Sequence, residues 1–599
     1  MYRRASGGYR RHMADFVRAV PAADIPDGQG RLWRHSDKRI ALFRTATGVY
    51  AADNRCPHEG YALKDGDIRA GVLTCAWHNW KFRLADGKCL FGGENIRTYP
   101  VSVRDGWVHV DVAEPAPEEI APELFASLLE AMGDVDTGRL ARDTVRLSAI
   151  GTPLTEVVRA GVTYGATRAE YGWNHSLATL ADCLTMASAF EGPLRTLPVI
   201  QGLATVSRTE VRRPPRPRPE PADVVRQYGS VTDGLAAFPA LIDEERGDEA
   251  EALLRGLLAG GASSEQVRHV FLSAITDHFL GYGHPMIYCQ KAFDLLDRIG
   301  WSEADTVLAP LVPAITWSTR YDRLPYMRRF LRAWRDSAQA DLAPAGPAPA
   351  GPAQDATTPD GTTLAGPATA AGAGLRRVLL DGRPEDAVAG VRSALAEGVP
   401  VPRIIDLIAS VAAARLGRFD IDSDTDDTKD AGWLDVTHTL TYVNALRWAW
   451  AADPCPAVLR GVMHAAWFVQ WTAKFDAAQQ PAPVTPHPGS DAASVLTAIR
   501  KRDPDQAVAL VKGYDGPAAP LRTALTQAAA EDNSTASIMV AHAVKTTTAA
   551  IAESRQAGRA PLAAAARFLA APKRERFVYQ ATLDAIDFIQ GRAKGDTEV

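Results

Sequence analysis

Cysteine is scarce in this chain, with six residues (Cys56, Cys75, Cys89, Cys183, Cys289 and Cys455) scattered over 599. That spacing excludes the disulfide framework of a small secreted scaffold and fits a reducing cytosol, so a cytoplasmic location is expected. Charge of one sign is lacking too. Sixty-six Lys and Arg stand against 71 Asp and Glu, a net charge of -5, and neither nucleic acid nor an anionic membrane is an expected partner. No apolar run approaches the roughly 18 to 20 residues that span a bilayer. The basic opening MYRRASGGYRRHM is not followed by an apolar stretch, so it does not read as a secretory signal. A strand-associated G-x-G-x-x-G is also missing, and electrons from NAD(P)H would have to arrive through a separate reductase or ferredoxin. What remains is a chain 46% apolar, ordinary for globular proteins and long enough for several domains.

Two of the few cysteines carry the clearest pattern. The run CPHEGYALKDGDIRAGVLTCAWH places Cys56 and His58 as C-x-H and, after a sixteen-residue gap, Cys75 and His78 as C-x-x-H. Two thiolates and two imidazoles suit a metal centre. Zinc accepts such a set, with ligand pairs commonly a dozen or more residues apart. The order C-H then C-H, rather than C-C then H-H, favours an iron-sulfur cluster. With its flanks AADNRCPHEG and WHNWKFRLADGKCL, the run resembles the Rieske [2Fe-2S] motif of ferredoxins and oxygenases. The resemblance implies that Cys56 and Cys75 hold one iron and His58 and His78 the other. Replacing two thiolates by neutral imidazoles lowers the negative charge on the cluster and raises its potential. The respiratory branch of that family has an additional disulfide-forming Cys in each loop. This chain has Tyr61 and Ala76 there, so it resembles the branch that feeds electrons to another centre.

Residues 1–12 read as a disordered tail and 13–113 as a small antiparallel β-sandwich. RIALFRT and GVYAADN read as strands, with hairpins at Asp86-Gly87 and Asp105-Gly106. After PAPEE the composition turns to Ala, Leu and Arg with helical periodicity. The expected fold is therefore multidomain, a Rieske sandwich followed by a large all-α region of about four helical repeats. Repeats 1–2 would occupy 114–342 and repeats 3–4 would occupy 375–599, forming one catalytic unit across an Ala/Gly/Pro-rich linker at 343–374. RRPPRPRPEP (212–221) reads as a stiff, solvated connector.

The repeats come from internal similarity. At a constant offset of 154, His438 falls on His284, Tyr442 on Tyr288, Trp471 on Trp317 and Asp476 on Asp322. Fainter copies align through the leading segments RGDEAEALLRGLLAGG, GRPEDAVAGVRSALAEG, KRDPDQAVALVKGYDG and GRLARDTVRLSAIG. Each copy then places one histidine near the start of a corresponding helix, namely His175, His284, His438 and His542. Equivalent positions on facing helices can converge on one metal site, and imidazole beside carboxylate suits iron. Glu170, Asp277 and either Glu531 or Asp532 are the candidate carboxylates, and His278 and His464 the candidate additional imidazoles.

The runs EYGWNHSLATLADCL and FLGYGHPMIYCQKAF resemble questin oxidase-like proteins, which implies oxygen insertion into an aromatic natural product. The reading reached is a Rieske-dependent monooxygenase of secondary metabolism. It would use O2 and a mononuclear or dinuclear non-haem iron to hydroxylate, N-oxygenate or insert oxygen into a small molecule. The other reading is an electron carrier or redox sensor whose helical part is a docking scaffold. Oligomeric state stays open, a homo-oligomer included.

Overall fold

A computed structural model of the chain describes residues 15–338, 370–424, 432–478, 484–531, 534, 536–573 and positions 582, 585, 586, 589 and 590. The expected tail at 1–12 and nearly all of the linker at 343–374 lie outside the described residues. The chain divides into two compact units, Met1–Pro153 and Leu154–Val599.

The first unit contains strands β1 (Phe16–Pro21), β2 (Gly30–His35), β3 (Lys38–Thr45), β4 (Gly48–Asp53), β5 (Asp67–Arg69), β6 (Val72–Thr74), β7 (Lys81–Arg83), β8 (Cys89–Phe91), β9 (Thr98–Tyr99), β10 (Val101–Arg104) and β11 (Trp107–Asp111). They form three antiparallel sheets in the orders β1-β11-β10, β2-β3-β4-β9 and β5-β6-β7-β8. Alternation along β3 explains how two cores share one strand, because successive side chains point to opposite faces. Ile40 and Leu42 join Val108 and Val110 on one side, and Ala41 and Phe43 join Leu73, Phe82, Cys56 and Cys75 on the other. The second core is the floor beneath the cysteine loops.

The expected hairpins are present. Arg104 pairs with Trp107 across Asp105 (φ 50°) and Gly106 (φ 78°), the two left-handed residues of a tight loop whose twist matches its strands. Two helices, Pro117–Asp134 and Thr137–Ala149, follow within the same unit. Glu94, 5% exposed in the loop after β8, explains their attachment, since it forms ion pairs with Arg142 (2.6 Å) and Arg146 on the second helix.

At the centre of the second unit, four helices pack in a ring. His175–Met186 lies against His284–Ile299, which lies against Trp433–Ala452, then Ser537–Ala557, which closes on the first. Every residue from Ser176 to Leu184 is buried, as expected of a helix surrounded by others. Residues 154 apart meet across the ring, with Gln290 Nε2 donating to Asn444 Oδ1 at 3.4 Å. The Pro-rich segment differs from a purely solvated connector. Arg216 pairs with buried Glu251 at 2.8 Å and Arg218 with Asp305 at 2.6 Å, which fastens the segment to its own unit. Among the described residues no helix is long and apolar enough to cross a membrane.

Candidate metal centres

The first centre is built by two loops at the ends of short strands. The Cys56 N–H donates to Tyr61 O (2.8 Å) and the Gly60 N–H returns to Cys56 O (2.8 Å), while the Cys75 N–H donates to Trp80 O (2.7 Å). Left-handed Gly60 (φ 80°) and Asn79 (φ 61°) close these two turns. Each loop thereby sends its cysteine inward and its histidine outward. Cys56 and Cys75 are 2% and 3% exposed within the apolar floor, whereas His58 and His78 are exposed with ring centroids 4.5 Å apart. Trp80 stacks on His58 at 5.1 Å, and Tyr61 stacks on the exposed Trp77 at 4.2 Å. Burial pushes the Cys56 thiol up to about 11, with the neighbouring Cys75 adding to the rise, so a thiolate pair here calls for positive charge between the sulfurs. The donor set fits a [2Fe-2S] cluster held by the cysteines on its buried side and by the histidines on its exposed side.

The second centre lies where the four ring helices begin or enter the core. Asn174 caps the first helix, its side chain accepting the N–H of Ser176 at 3.0 Å, which sets His175 at the first helical position. His284 follows Gly283, whose φ of 85° and missing Cβ let the backbone press on Tyr442; a Cβ there would stand 2.4 Å from the ring. The four imidazoles form a closed ring with centroid separations of 4.5 Å (His175 to His284), 4.3 Å (His284 to His438), 4.7 Å (His438 to His542) and 5.3 Å (His542 to His175). His438 and His542 are 5% and 0% exposed, while His175 and His284 are partly open.

Hydrogen bonding fixes which nitrogens face inward. His284 Nδ1 meets the carbonyl of Gly281 and His438 Nδ1 that of Leu434, and a carbonyl only accepts, so both protons are on Nδ1. Thr437 donates its hydroxyl to Leu434 O (3.1 Å), so its oxygen accepts from His542 Nδ1 at 2.8 Å. The Nε2 lone pairs of His284 and His438 therefore face each other, and the donor atoms of His175, His284 and His438 all lie within 4.8 Å of one another. His284 Nε2 lies 2.9 Å from His175 Nε2 and 2.7 Å from His438 Nε2, and His542 Nε2 is buried without a hydrogen-bond partner. Burial, then the Lys545 charge, holds the His175, His438 and His542 rings well below the ordinary imidazole range and His284 down at about 3. The facing lone pairs of neutral His284 and His438 repel unless a cation stands between them, and the three clustered donors of His175, His284 and His438 fit one transition-metal ion.

The remaining candidates go elsewhere. Glu170 pairs with Arg213 at 3.5 Å and Asp277 with Arg460 at 2.7 Å. His278 lies between Asp322 (2.8 Å) and Asp243 (3.1 Å), and His464 packs against Phe279 and Phe330. Glu531 pairs with Arg500 at 2.7 Å, and Asp532 lies outside the described residues. Besides Thr437, two polar side chains among the described residues reach the ring, Tyr288, whose hydroxyl lies 3.3 Å from His175 Nδ1, and Lys545, unforeseen in the sequence reading, with Nζ 2.9 Å from His438 Nε2. Three residues after His542 on one helix, it shares that face, a spacing that could have signalled it. Asp182 and Lys291 form a second buried pair at 2.8 Å, each seven residues beyond a ring histidine.

Comparison with known proteins bears on the first centre. The sequence model of the Rieske [2Fe-2S] domain matches residues 15–100. The ferredoxin component of a naphthalene 1,2-dioxygenase system from Pseudomonas putida is 30% identical over 100 residues, 16% of this chain and 96% of that protein. A 4beta-methylsterol monooxygenase from Methylococcus capsulatus is 36% identical over 89 residues, 13% of this chain and only 24% of that protein. Among solved structures, the Sphingomonas yanoikuyae B1 ferredoxin is 28% identical and is matched over its whole length, 17% of this chain, with a TM-score of 0.16. The match spans both loops that carry Cys56, His58, Cys75 and His78, and through residues 15–100 the chain belongs to the Rieske [2Fe-2S] domain family.

Proposed function

We propose that the chain is a Rieske-dependent oxygenase in which a partner reduces the cluster and the helical unit uses those electrons with O2 to oxygenate a small organic molecule. The observation that carries the reading is the ring of His175, His284, His438 and His542, in which the donor atoms of the first three all lie within 4.8 Å of one another. Donors 2.7 to 2.9 Å apart favour one ion over two, since two ligands at about 2.1 Å from a single metal stand roughly 3 Å apart. Iron is the metal we assign, and when bound it supplies the redox chemistry that activates O2. The chain's own residues do the rest. Gly281 O, Leu434 O and Thr437 hold the imidazoles in one tautomer, and the partly open edges of His175 and His284 are where a substrate would approach. Electrons reach the cluster from a separate NAD(P)H-dependent reductase or ferredoxin, and natural-product hydroxylation, N-oxygenation and oxygen insertion are the reactions in view.

The double change His284→Ala, His438→Ala tests this reading. It should abolish product formation and leave the cluster's EPR signal intact, whereas turnover by the double variant would remove the histidine ring from the chemistry.

A second reading is supported by the dioxygenase ferredoxin components, which this chain covers almost completely. In it the chain carries electrons and the helical unit is a docking scaffold. Such a protein contains two irons per chain and passes electrons to an added acceptor without consuming O2.

A further inference from the structure

Away from the histidine ring, three ligand-type side chains meet on the helical unit. His269 lies on the helix Ser264–Thr276, Asp453 ends the helix Trp433–Ala452, and Cys455 caps the start of Pro456–Trp471. The imidazole, carboxylate and thiol donor atoms all lie within 4.8 Å of one another, with His269 Nδ1 2.7 Å from Asp453 Oδ2. We propose that His269, Asp453 and Cys455 form a zinc site that clamps the first of these helices to the turn between the other two.

The donor set suits the ion. Zinc takes sulfur, nitrogen and carboxylate oxygen at about 2.0 to 2.3 Å in a tetrahedron, which separates the ligand atoms by roughly 3.3 to 3.8 Å. The 4.8 Å limit on the three separations brackets that spacing, and His269, whose side chain is 55% exposed, has room to open its 2.7 Å contact with Asp453 to admit an ion. Two of the ligands come from a rigid connector. In Asp453-Pro454-Cys455-Pro456, a proline on each side of the cysteine restricts the backbone that carries both ligands before any ion arrives. Three protein donors leave the fourth position to water on the exposed side.

The internal similarity separates this site from the common scaffold. At the offset of 154 that relates His284 to His438, Asp453 corresponds to Ile299 and Cys455 to Trp301. Neither of those can hold a metal, so the turn does not need ligand residues in order to form. The clamp is a feature of one copy, and it is independent of the ring histidines and of the Rieske loops.

Cobalt(II) tests it, because cobalt reports a thiolate ligand by charge-transfer absorption and occupies zinc sites. Full-length protein with its iron-sulfur cluster in place is treated with a chelator and titrated with Co2+. A sulfur-to-cobalt band should appear and saturate, be displaced by Zn2+, and be absent from Cys455→Ser. His269→Ala, an exposed position where truncation leaves the fold in place, should also lose the band. Zn2+ should raise the Tm of the wild-type protein and leave that of His269→Ala unmoved. A band that persists in Cys455→Ser, or no band in the wild type, overturns the proposal.

Discussion

At the residue scale, the dominant feature of the helical unit is a set of buried bases that stay neutral. Burial holds His284 and His464 at about 3, against an ordinary imidazole value of roughly 6.5. The unfolded chain then binds more protons than the folded one below pH ~6.5. Stability from these groups is fully present above that pH and falls as the pH drops towards about 3. The denaturation midpoint of the helical unit should decline over this window. His464→Leu, placed against Phe279 and Phe330, should flatten the decline, and a midpoint constant from pH 6.5 to 4 would contradict it.

Lys545 gives a second prediction at this scale. Its amine donates to His438 Nε2, occupying in the metal-free chain a lone pair that an ion would otherwise take. Lys545→Met leaves that buried acceptor unpaired and should cost the metal-free form about 1 to 3 kcal/mol, and the metal-loaded form less. Chemical denaturation of both forms measures the difference. His284 and His438 were legible at the offset of 154, and His175 and His542 through fainter alignment, whereas Lys545 was not, because Thr441, Ile287 and Ala178 stand three residues after the other histidines. Glu170 and Asp277 were close in the chain to His175 and to His284, yet they pair with Arg213 and Arg460. Nearness in sequence does not fix which way a side chain at a helix boundary points.

At the scale of elements, the Rieske loops depend on tight turns that only particular residues allow. Gly87 has φ 72°, and a Cβ there would stand 2.0 Å from Ile96 O, a backbone atom that cannot move aside without shifting the strand. Gly87→Ala should cost about 1 to 3 kcal/mol or more and lower the yield of cluster-loaded protein, read from the visible absorption of the purified protein. Wild-type yield and Tm would show that the hairpin between β7 and β8 tolerates the change. The strands and hairpins were legible from β-branched runs and Asp-Gly turns. The ring of four helices was legible only as repeats, because a helix buried on all sides has no polar face to betray its neighbours. Which helices adjoin is settled by packing, and Gln290 meeting Asn444 across the ring is the kind of contact that local pattern does not reveal.

At the scale of the whole molecule, the first compact unit runs to Pro153, well beyond the last strand. Composition marks the change from strand to helix near 113, but the buried charge of Glu94 needs Arg142 and Arg146, which lie beyond it. A fragment ending at 153 should fold and carry the cluster. One ending at 113 leaves Glu94 unpaired and should be less stable by on the order of 2 to 3 kcal/mol, as the two arginines are partly exposed and screened. Equal denaturation midpoints for the two fragments would count against that ion network.

The claim that joins these scales is that the helical unit holds iron at the histidine ring, on His175, His284 and His438. Iron counted per chain in wild-type protein and in His284→Ala, His438→Ala tests it most directly, with the cluster's EPR signal measured on the same samples. The account predicts three irons in the wild type and two in the double variant, with the cluster signal unchanged. Two irons in both proteins would contradict it.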